Sequence, residues 1–187
     1  SYYDQVVKED LTDPEDVAVF DFFPHDILEH LNKFSGVIML HVPRTGGLAN
    51  AQTLSEVVEA ATKFPNIKIV LAHMGRCYSQ LDMEPVVLKI AKYPNLFLDT
   101  SMVDSQETFE VALRSVGSKR IMFGTDLPLS VVRFLRKYEE GILTLFSKQE
   151  THALKIENKP DMAIATNVLY MTRALLIACQ NSGSVSY

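Results

Sequence analysis

The sequence predicts an α/β fold built from parallel strand–helix repeats. Four short apolar runs recur along the 187 residues, and helical patterns separate them. The runs are nearly continuous in aliphatic and aromatic residues, as strands of a parallel sheet covered on both faces are. Their starts at residues 37, 67, 96 and 121 give the spacing of one strand–helix unit. We expect a single domain over residues 1–187.

The four apolar runs are the predicted strands, at residues 37–40, 67–72, 96–98 and 121–123. Helices are predicted at residues 26–34, 50–64, 83–93, 104–117, 131–138 and 162–179. The helix at 50–64 has Leu54, Val57 and Ala61 on one face, a spacing typical of a helix that packs on a sheet.

Proline and capping residues set the expected helix ends. Residues 63–67 and 92–96 share a Lys-aromatic-Pro-Asn-aliphatic pattern, in which proline stops a helix before the next strand. In the helix at 104–117, Asp104 is the expected cap, with Glu107 three residues later and Gly117 at the end.

Composition excludes several classes of partner. The net charge is −5, with Lys and Arg scattered, which favours a small-molecule substrate over nucleic acid. No apolar run reaches the roughly 18 residues of a membrane span. Cys77 and Cys179 form no metal or disulfide pattern, so we interpret Cys77 as a buried thiol and expect a reducing, cytoplasmic location.

Polar side chains follow each predicted strand where it ends. These are His41, His73, Asp99, and the pair Thr125 and Asp126. Ligands bind at the carboxyl ends of parallel strands, and His and Asp bind zinc and related divalent metals. Taken singly, each residue also has a structural interpretation, as a hydrogen-bonded histidine or a turn or cap aspartate. Their recurrence at one edge of one sheet favours a functional site.

Three segments carry a resemblance to a known family. Val-Ile-Met-Leu-His at 37–41, Ala-His-Met-Gly at 72–75 and Met-Phe-Gly-Thr-Asp-Leu-Pro at 122–128 resemble the strand 5, 6 and 8 motifs of the amidohydrolase-related metal-dependent hydrolases. Ala-Thr-Asn at 165–167 is similar to the family's closing helix. The resemblance implies the C-terminal half, strands 5 to 8, of a TIM (β/α)8 barrel.

The resemblance also implies residue roles. Asp126 would be a metal ligand and the catalytic acid/base group. His41 would be a ligand or lie directly behind the ligands, and His73 would be a ligand or stabilise the developing charge. The implied cofactor is a divalent metal, with zinc as the expected ion.

Two arginines extend this hypothesis to the substrate. Arg44 and Arg76 each follow a strand-end histidine by three residues. Their forked guanidinium groups suit a substrate carboxylate. The alternative is that they are solvated loop residues or pair with Asp82 or Glu84.

One family motif is absent from the sequence. The family's first strand carries an HxH pair of metal ligands, and no HxH occurs here. The chain is expected to be a piece of a longer protein, because a half-barrel leaves open strand edges and an uncovered apolar interior. The alternative is a natural half-barrel that pairs with a second copy as a homo-oligomer.

The resemblance leaves three functions open. The leading one is hydrolysis of an amide, lactone or ester bond in a small, carboxylated molecule. A decarboxylase with the same strand-end residues is the first alternative. A barrel remnant that binds a ligand or partner without turnover is the second.

Overall fold

The structure, a computed structural model, describes residues 14–131, 135–139, 142–146 and 167–183. Four parallel strands form one sheet: β1 Val37–Leu40, β2 Lys68–Leu71, β3 Leu96–Asp99 and β4 Ile121–Met122. The helices in the described ranges are α1 Val19–Phe22, α2 His25–Lys33, α3 Ala51–Lys63, α4 Gln80–Ile90, α5 Gln106–Val116 and α6 Asn167–Asn181. The predicted strands and most predicted helices are therefore present, with ends shifted by a few residues.

The strand order distinguishes between the two common parallel architectures. The strands lie side by side in sequence order, each parallel to the next. A doubly wound sheet reverses its order at a switch point, whereas a barrel wall does not. The arrangement is that of a partial barrel, and the predicted fold class is confirmed.

The helices cover one face of the sheet. The register aligns Leu40, Leu71, Leu98 and Ile121 in one row across the sheet. The three leucines of this row are at most 1% exposed and belong to the hydrophobic core. The predicted stripe of α3 packs into the same core, with Val57 fully buried.

The opposite face carries exposed apolar side chains at both ends of the sheet. On β1, Val37 and Met39 are 63% and 56% exposed, and on β4, Met122 is 47% exposed. Ile38 and Leu40 alternate with them and are buried. This alternation is expected for strands whose second face is directed toward a barrel interior.

Each strand–helix unit is tied to the one before it by polar contacts. Buried Asn95 donates from Nδ2 to the carbonyls of Ala61 and Ile67, at 3.1 and 3.2 Å. Arg120 similarly donates to Ala91 and Tyr93 carbonyls, at 3.0 and 2.7 Å. These donors pair backbone oxygens that helix ends leave without an intrahelical partner. Asn95, from the Lys-aromatic-Pro-Asn segment at 92–96, therefore binds the backbone on both sides of the equivalent turn at 63–67.

Two sequence predictions are wrong. The helix predicted at 131–138 is not formed, because Leu135–Glu139 is a strand, β5, paired antiparallel with Ile142–Phe146, β6. The cap of α5 is Ser105, whose Oγ accepts from Thr108 N at 3.1 Å, and Asp104 lies one residue too early. The predicted helix residues 162–166 lie outside the described residues.

None of the helices in the described ranges combines the length and apolar character of a membrane span.

Candidate active site

The carboxyl ends of all four strands are followed by residues in the left-handed backbone region. These are Arg44, His73, Met102 and Asp126, with φ of 61°, 55°, 61° and 56°. The left-handed region costs a non-glycine residue about 1–2 kcal/mol. Such conformations persist where the surrounding structure enforces them, and they cluster at functional sites. The strand ends therefore carry the backbone strain that is typical of a functional site.

His41 and His73 lie side by side at the ends of β1 and β2. Their ring centroids are 5.2 Å apart and the rings meet edge to face, at 77°. His41 is exposed, whereas His73 is only 9% exposed and stacks against Tyr78 at 6.5 Å. The structure thus brings together two of the predicted site residues.

Asp99, at the end of β3, lies at the centre of this arrangement. Its Oδ2 accepts from the backbone N of His73 at 3.2 Å, and its Oδ1 accepts from the backbone N of Ser101 at 3.3 Å. Ser101 Oγ also donates to Asp99 Oδ2, and it lies 2.8 Å from Nδ1 of His73. Sequence reasoning gave Asp99 low weight and missed Ser101, because a turn-forming Asp-Thr-Ser run gives no sign of which histidine it contacts.

The end of β4 is joined to β3 at the same place. Thr100 Oγ1 accepts from Gly124 N at 3.1 Å, and Thr100 N donates to Met122 O at 3.0 Å. A Cβ added to Gly124 would lie 2.0 Å from Oδ1 of Asp99. Only glycine therefore lets the segment leading to Asp126 pass over Asp99.

The environment of His41 favours a neutral imidazole. Although His41 is exposed as a whole residue, partial loss of hydration of its ring lowers its pKa to about 4, and the nearby His73 and Arg76 act in the same direction. Asp126 raises the pKa, which places its carboxylate within electrostatic reach of His41. A neutral imidazole at physiological pH keeps the lone pair that a metal ligand or a base needs.

Arg44 has a structural role in this fold. Its side chain is 2% exposed and is paired with Glu56, with Nη2 donating to Oε1 at 2.8 Å and Nη1 to Oε2 at 2.9 Å. Its Nε donates to the backbone oxygen of Glu15 at 3.0 Å, and Nη1 also reaches Thr53 at 3.3 Å. All of its nitrogens are engaged inside the protein, so we remove Arg44 from the proposed substrate-binding set. The predicted alternative partners, Asp82 and Glu84, are not its partners.

Arg76 lies closer to the candidate site. Its Nη1 donates to the backbone oxygens of Val42 and Arg44 at 3.3 and 2.8 Å, which anchors the guanidinium to the loop after β1. Within the described residues, no hydrogen bond is made by its Nε or Nη2. Its charge lowers the pKa of His41, so the guanidinium lies within electrostatic range of that histidine.

The backbone that carries His73 and Arg76 is packed tightly against the first loop. His73–Arg76 form a turn in which all four φ angles are positive, between 53° and 68°. A Cβ on Gly75 would lie 2.1 Å from Cδ1 of Leu48, and one on Gly47 would lie 2.5 Å from the Gly75 oxygen. Glycines at both positions allow the loop after β1 to pack directly against the His73–Arg76 turn. This contact fixes the backbone positions of His73 and Arg76.

The predicted ligands form only part of a metal site. In the described ranges, no group of three or more His, Cys, Asp or Glu side chains is close enough to hold a metal ion. The histidine pair fits a divalent metal in its chemistry, but the structure does not complete a ligand set. The ligand roles of His41, His73 and Asp126 stay predictions.

Cys77 agrees with the interpretation as a buried thiol. It is 0% exposed and free, and burial raises its pKa to about 12. A thiol with a raised pKa is a poor nucleophile and a poor metal ligand.

A singly wound parallel sheet with imidazole and carboxylate groups at its carboxyl edge defines a class: barrel proteins whose ligand sites lie at the strand ends. Within this class, the family can be given. The chain belongs to the amidohydrolase family, whose model matches residues 3–158.

Several solved structures are similar to this chain. An amidohydrolase from Burkholderia multivorans with bound Zn is 16% identical, with 61% of this chain and 47% of that chain covered and a TM-score of 0.47. A dihydroxybenzoic acid decarboxylase from Polaromonas with bound manganese is 22% identical, with 55% and 42% covered and a TM-score of 0.39. A 5-carboxyvanillate decarboxylase from Sphingomonas paucimobilis is 15% identical, with 91% of this chain and 56% of that chain covered and a TM-score of 0.42. The chain thus spans about half the length of each. No curated protein sequence matches it.

Proposed function

We propose that the protein is a metal-dependent hydrolase that cleaves an amide, lactone or ester bond in a small, carboxylated molecule. Family membership and the paired His41 and His73 at the strand ends support this proposal. The single observation that carries it is the edge-to-face imidazole pair at 5.2 Å, one of them held neutral and both within the reach of acidic residues.

His41, His73 and Asp126 are the residues that would hold the metal; they do not form a ligand group in the described structure, so the proposal requires further ligands from outside the described residues. Zinc is the expected ion. A bound divalent metal lowers the pKa of water and polarises a carbonyl. The protein's own contribution is to hold two imidazoles at the strand ends with a carboxylate within electrostatic range of His41, and Asp126 is the group proposed to accept and return the proton.

We expect replacement of Asp126 with asparagine to lower kcat by a factor of about 10²–10⁴, the usual contribution of a general acid or base. The change keeps the size of the side chain and removes the proton acceptor. Turnover of lactones, amides and esters of small carboxylic acids would be measured on the full length of protein that the gene encodes, with zinc added.

The control is Asp104→Asn, at an acidic residue that is near α5 and outside the proposed site. Equal activity of Asp126→Asn and the wild-type protein would contradict the acid/base role. Absence of turnover in the wild-type protein on every class would favour the alternative of a barrel remnant without catalysis.

A decarboxylase is the second candidate. The observation that favours it is Arg76, a guanidinium within electrostatic range of His41, with Nε and Nη2 making no hydrogen bond within the described residues. Such a group can hold the carboxylate of a small acid. Two assays distinguish the reactions. Release of CO2 from aromatic carboxylic acids indicates a decarboxylase, and production of acid from lactones indicates a hydrolase.

Arg76 is the proposed substrate-binding residue in either reaction. We expect Arg76→Ala to raise KM for an acidic substrate by a factor of about 10–100, since a charge-assisted hydrogen bond contributes about 1.5–3 kcal/mol. KM for a neutral analogue should change far less. The matched control is Arg114→Ala, on the exposed surface of α5, where Arg114 pairs with Glu110 at 3.7 Å. Equal rises in KM for both substrates would contradict the assignment.

A further inference from the structure

One side of the His73 ring is held by a short polar chain at the end of β3. Nδ1 of His73 lies 3.1 Å from the backbone oxygen of Ser101 and 2.8 Å from its Oγ. Ser101 Oγ is in turn hydrogen-bonded to Oδ2 of Asp99. All three residues are buried, at 9% exposure or less. Water therefore competes little for these contacts.

These contacts determine where the imidazole proton lies. A backbone carbonyl oxygen can only accept, so the atom 3.1 Å from it must be a donor. The hydroxyl of Ser101 has one proton, and the Asp99 carboxylate is the acceptor for it. Ser101 Oγ is therefore left as an acceptor toward His73. Both contacts require a proton on Nδ1.

The opposite tautomer is disfavoured by the same geometry. With Nδ1 unprotonated, its lone pair would face the lone pairs of the Ser101 carbonyl. The hydroxyl would also have to abandon Asp99 to donate to the ring. Asp99 is itself fixed, because it accepts from the backbone N of His73 at 3.2 Å and of Ser101 at 3.3 Å.

We propose that Ser101 and Asp99 are positioning residues that hold His73 as the Nδ1–H tautomer and leave the lone pair on Nε2. This assignment does not depend on which reaction the protein catalyses. Its catalytic meaning rests on the proposed function: Nε2 is then the nitrogen of His73 that accepts a proton or binds the metal. In histidine ligands the hydrogen bond made by one ring nitrogen commonly fixes the tautomer and leaves the other nitrogen to bind the metal.

The test is the nitrogen NMR spectrum of the metal-free 187-residue chain, labelled with ¹⁵N-histidine, at about pH 8.5, two units above the ordinary imidazole pKa. His73→Gln identifies the His73 signals by their loss. We expect a pyrrole-like Nδ1 and a pyridine-like Nε2 for His73. The reverse pattern, which is the commoner form of free histidine, would overturn the proposal.

Variants test which group holds the tautomer. Ser101→Ala removes the hydroxyl and keeps the backbone carbonyl, so the Nε2 signal should shift part of the way toward the pyrrole-like position. Ser101→Thr, which keeps a hydroxyl, should retain the wild-type pattern. Ser105→Ala is the matched control, because it removes the cap of α5, which also costs stability, without touching His73. An unchanged tautomer in Ser101→Ala would overturn the role of Ser101. Neither substrate nor metal is present, so failure here is distinct from failure of the activity tests.

Discussion

Replacing Arg44 with methionine should lower the free energy of unfolding by about 3–5 kcal/mol, because it leaves a buried carboxylate without its partner. The side chains of Arg44 and Glu56 are only 2% and 13% exposed, and two hydrogen bonds of 2.8 and 2.9 Å join them. Urea unfolding at neutral pH measures the effect. The matched control is Arg114→Met, whose exposed i,i+4 pair with Glu110 should contribute less than about 1 kcal/mol.

A double variant separates the pair from the packing of the side chains. Arg44→Met with Glu56→Leu removes both charges, and it should recover much of the lost stability. If Arg44→Met cost no more than Arg114→Met, the structural role of Arg44 would be wrong.

The same ion pair predicts a pH dependence. Burial by itself raises the pKa of Glu56, but the hydrogen bonds from Arg44 and Val19 outweigh it and hold the pKa below its ordinary value of 4.5. The stabilisation is therefore complete above pH 4.5 and is lost as the pH falls through the lowered pKa. In Arg44→Met, the free energy of unfolding should not show this decrease at low pH.

Gly124→Ala is expected to displace Asp99 and to lower the free energy of unfolding by about 1–3 kcal/mol, the usual cost of overpacking. The new Cβ would lie 2.0 Å from Oδ1 and 3.0 Å from Cγ of Asp99. The φ angle of Gly124 is not positive, so alanine can adopt its backbone conformation. The expected effect is therefore a steric one. Urea unfolding and the ¹⁵N signals of His73 would measure it.

Gly117→Ala is the control for this substitution. Gly117 has a φ of +84°, and a Cβ there would meet no atom within 4 Å. With ψ at 152° this conformation is essentially restricted to glycine, so Gly117→Ala should cost about 1–3 kcal/mol through backbone strain alone and leave the His73 signals unchanged. Unchanged His73 signals in Gly124→Ala would show that Asp99 does not need the space that glycine provides.

Gly124 also gives a physical reason for part of the motif that suggested the family. In the segment Met-Phe-Gly-Thr-Asp-Leu-Pro, the glycine lets the end of β4 cross Asp99, and Asp126 follows in a left-handed conformation with φ of 56°. The order of these residues therefore reflects how one strand end is fitted over the next. The sequence pattern contains Asp126, but not the carboxylate beneath it.

Local pattern predicted the strands, because each strand is a short apolar run between helix stops that the chain itself contains, whereas the barrel arrangement was implied by the family resemblance. It also predicted the strand-end positions of His41, His73 and Asp126. It failed for residues 135–146, where a strand forms only because Leu135–Glu139 finds Ile142–Phe146 as a partner. A helical spacing over a few residues cannot exclude such a pairing.

The tertiary structure alone decided what the polar side chains do. Arg44 follows a strand-end histidine as Arg76 does, yet it is buried against Glu56, 12 residues away, while Arg76 is bound to the loop after β1 and its charge acts on His41. Ser101 contacts His73 across 28 residues. Periodicity reports which residues share one face of one element, since it arises from the geometry of a single helix or strand. Contacts between separate strand ends depend on register and loop packing, which no local pattern contains.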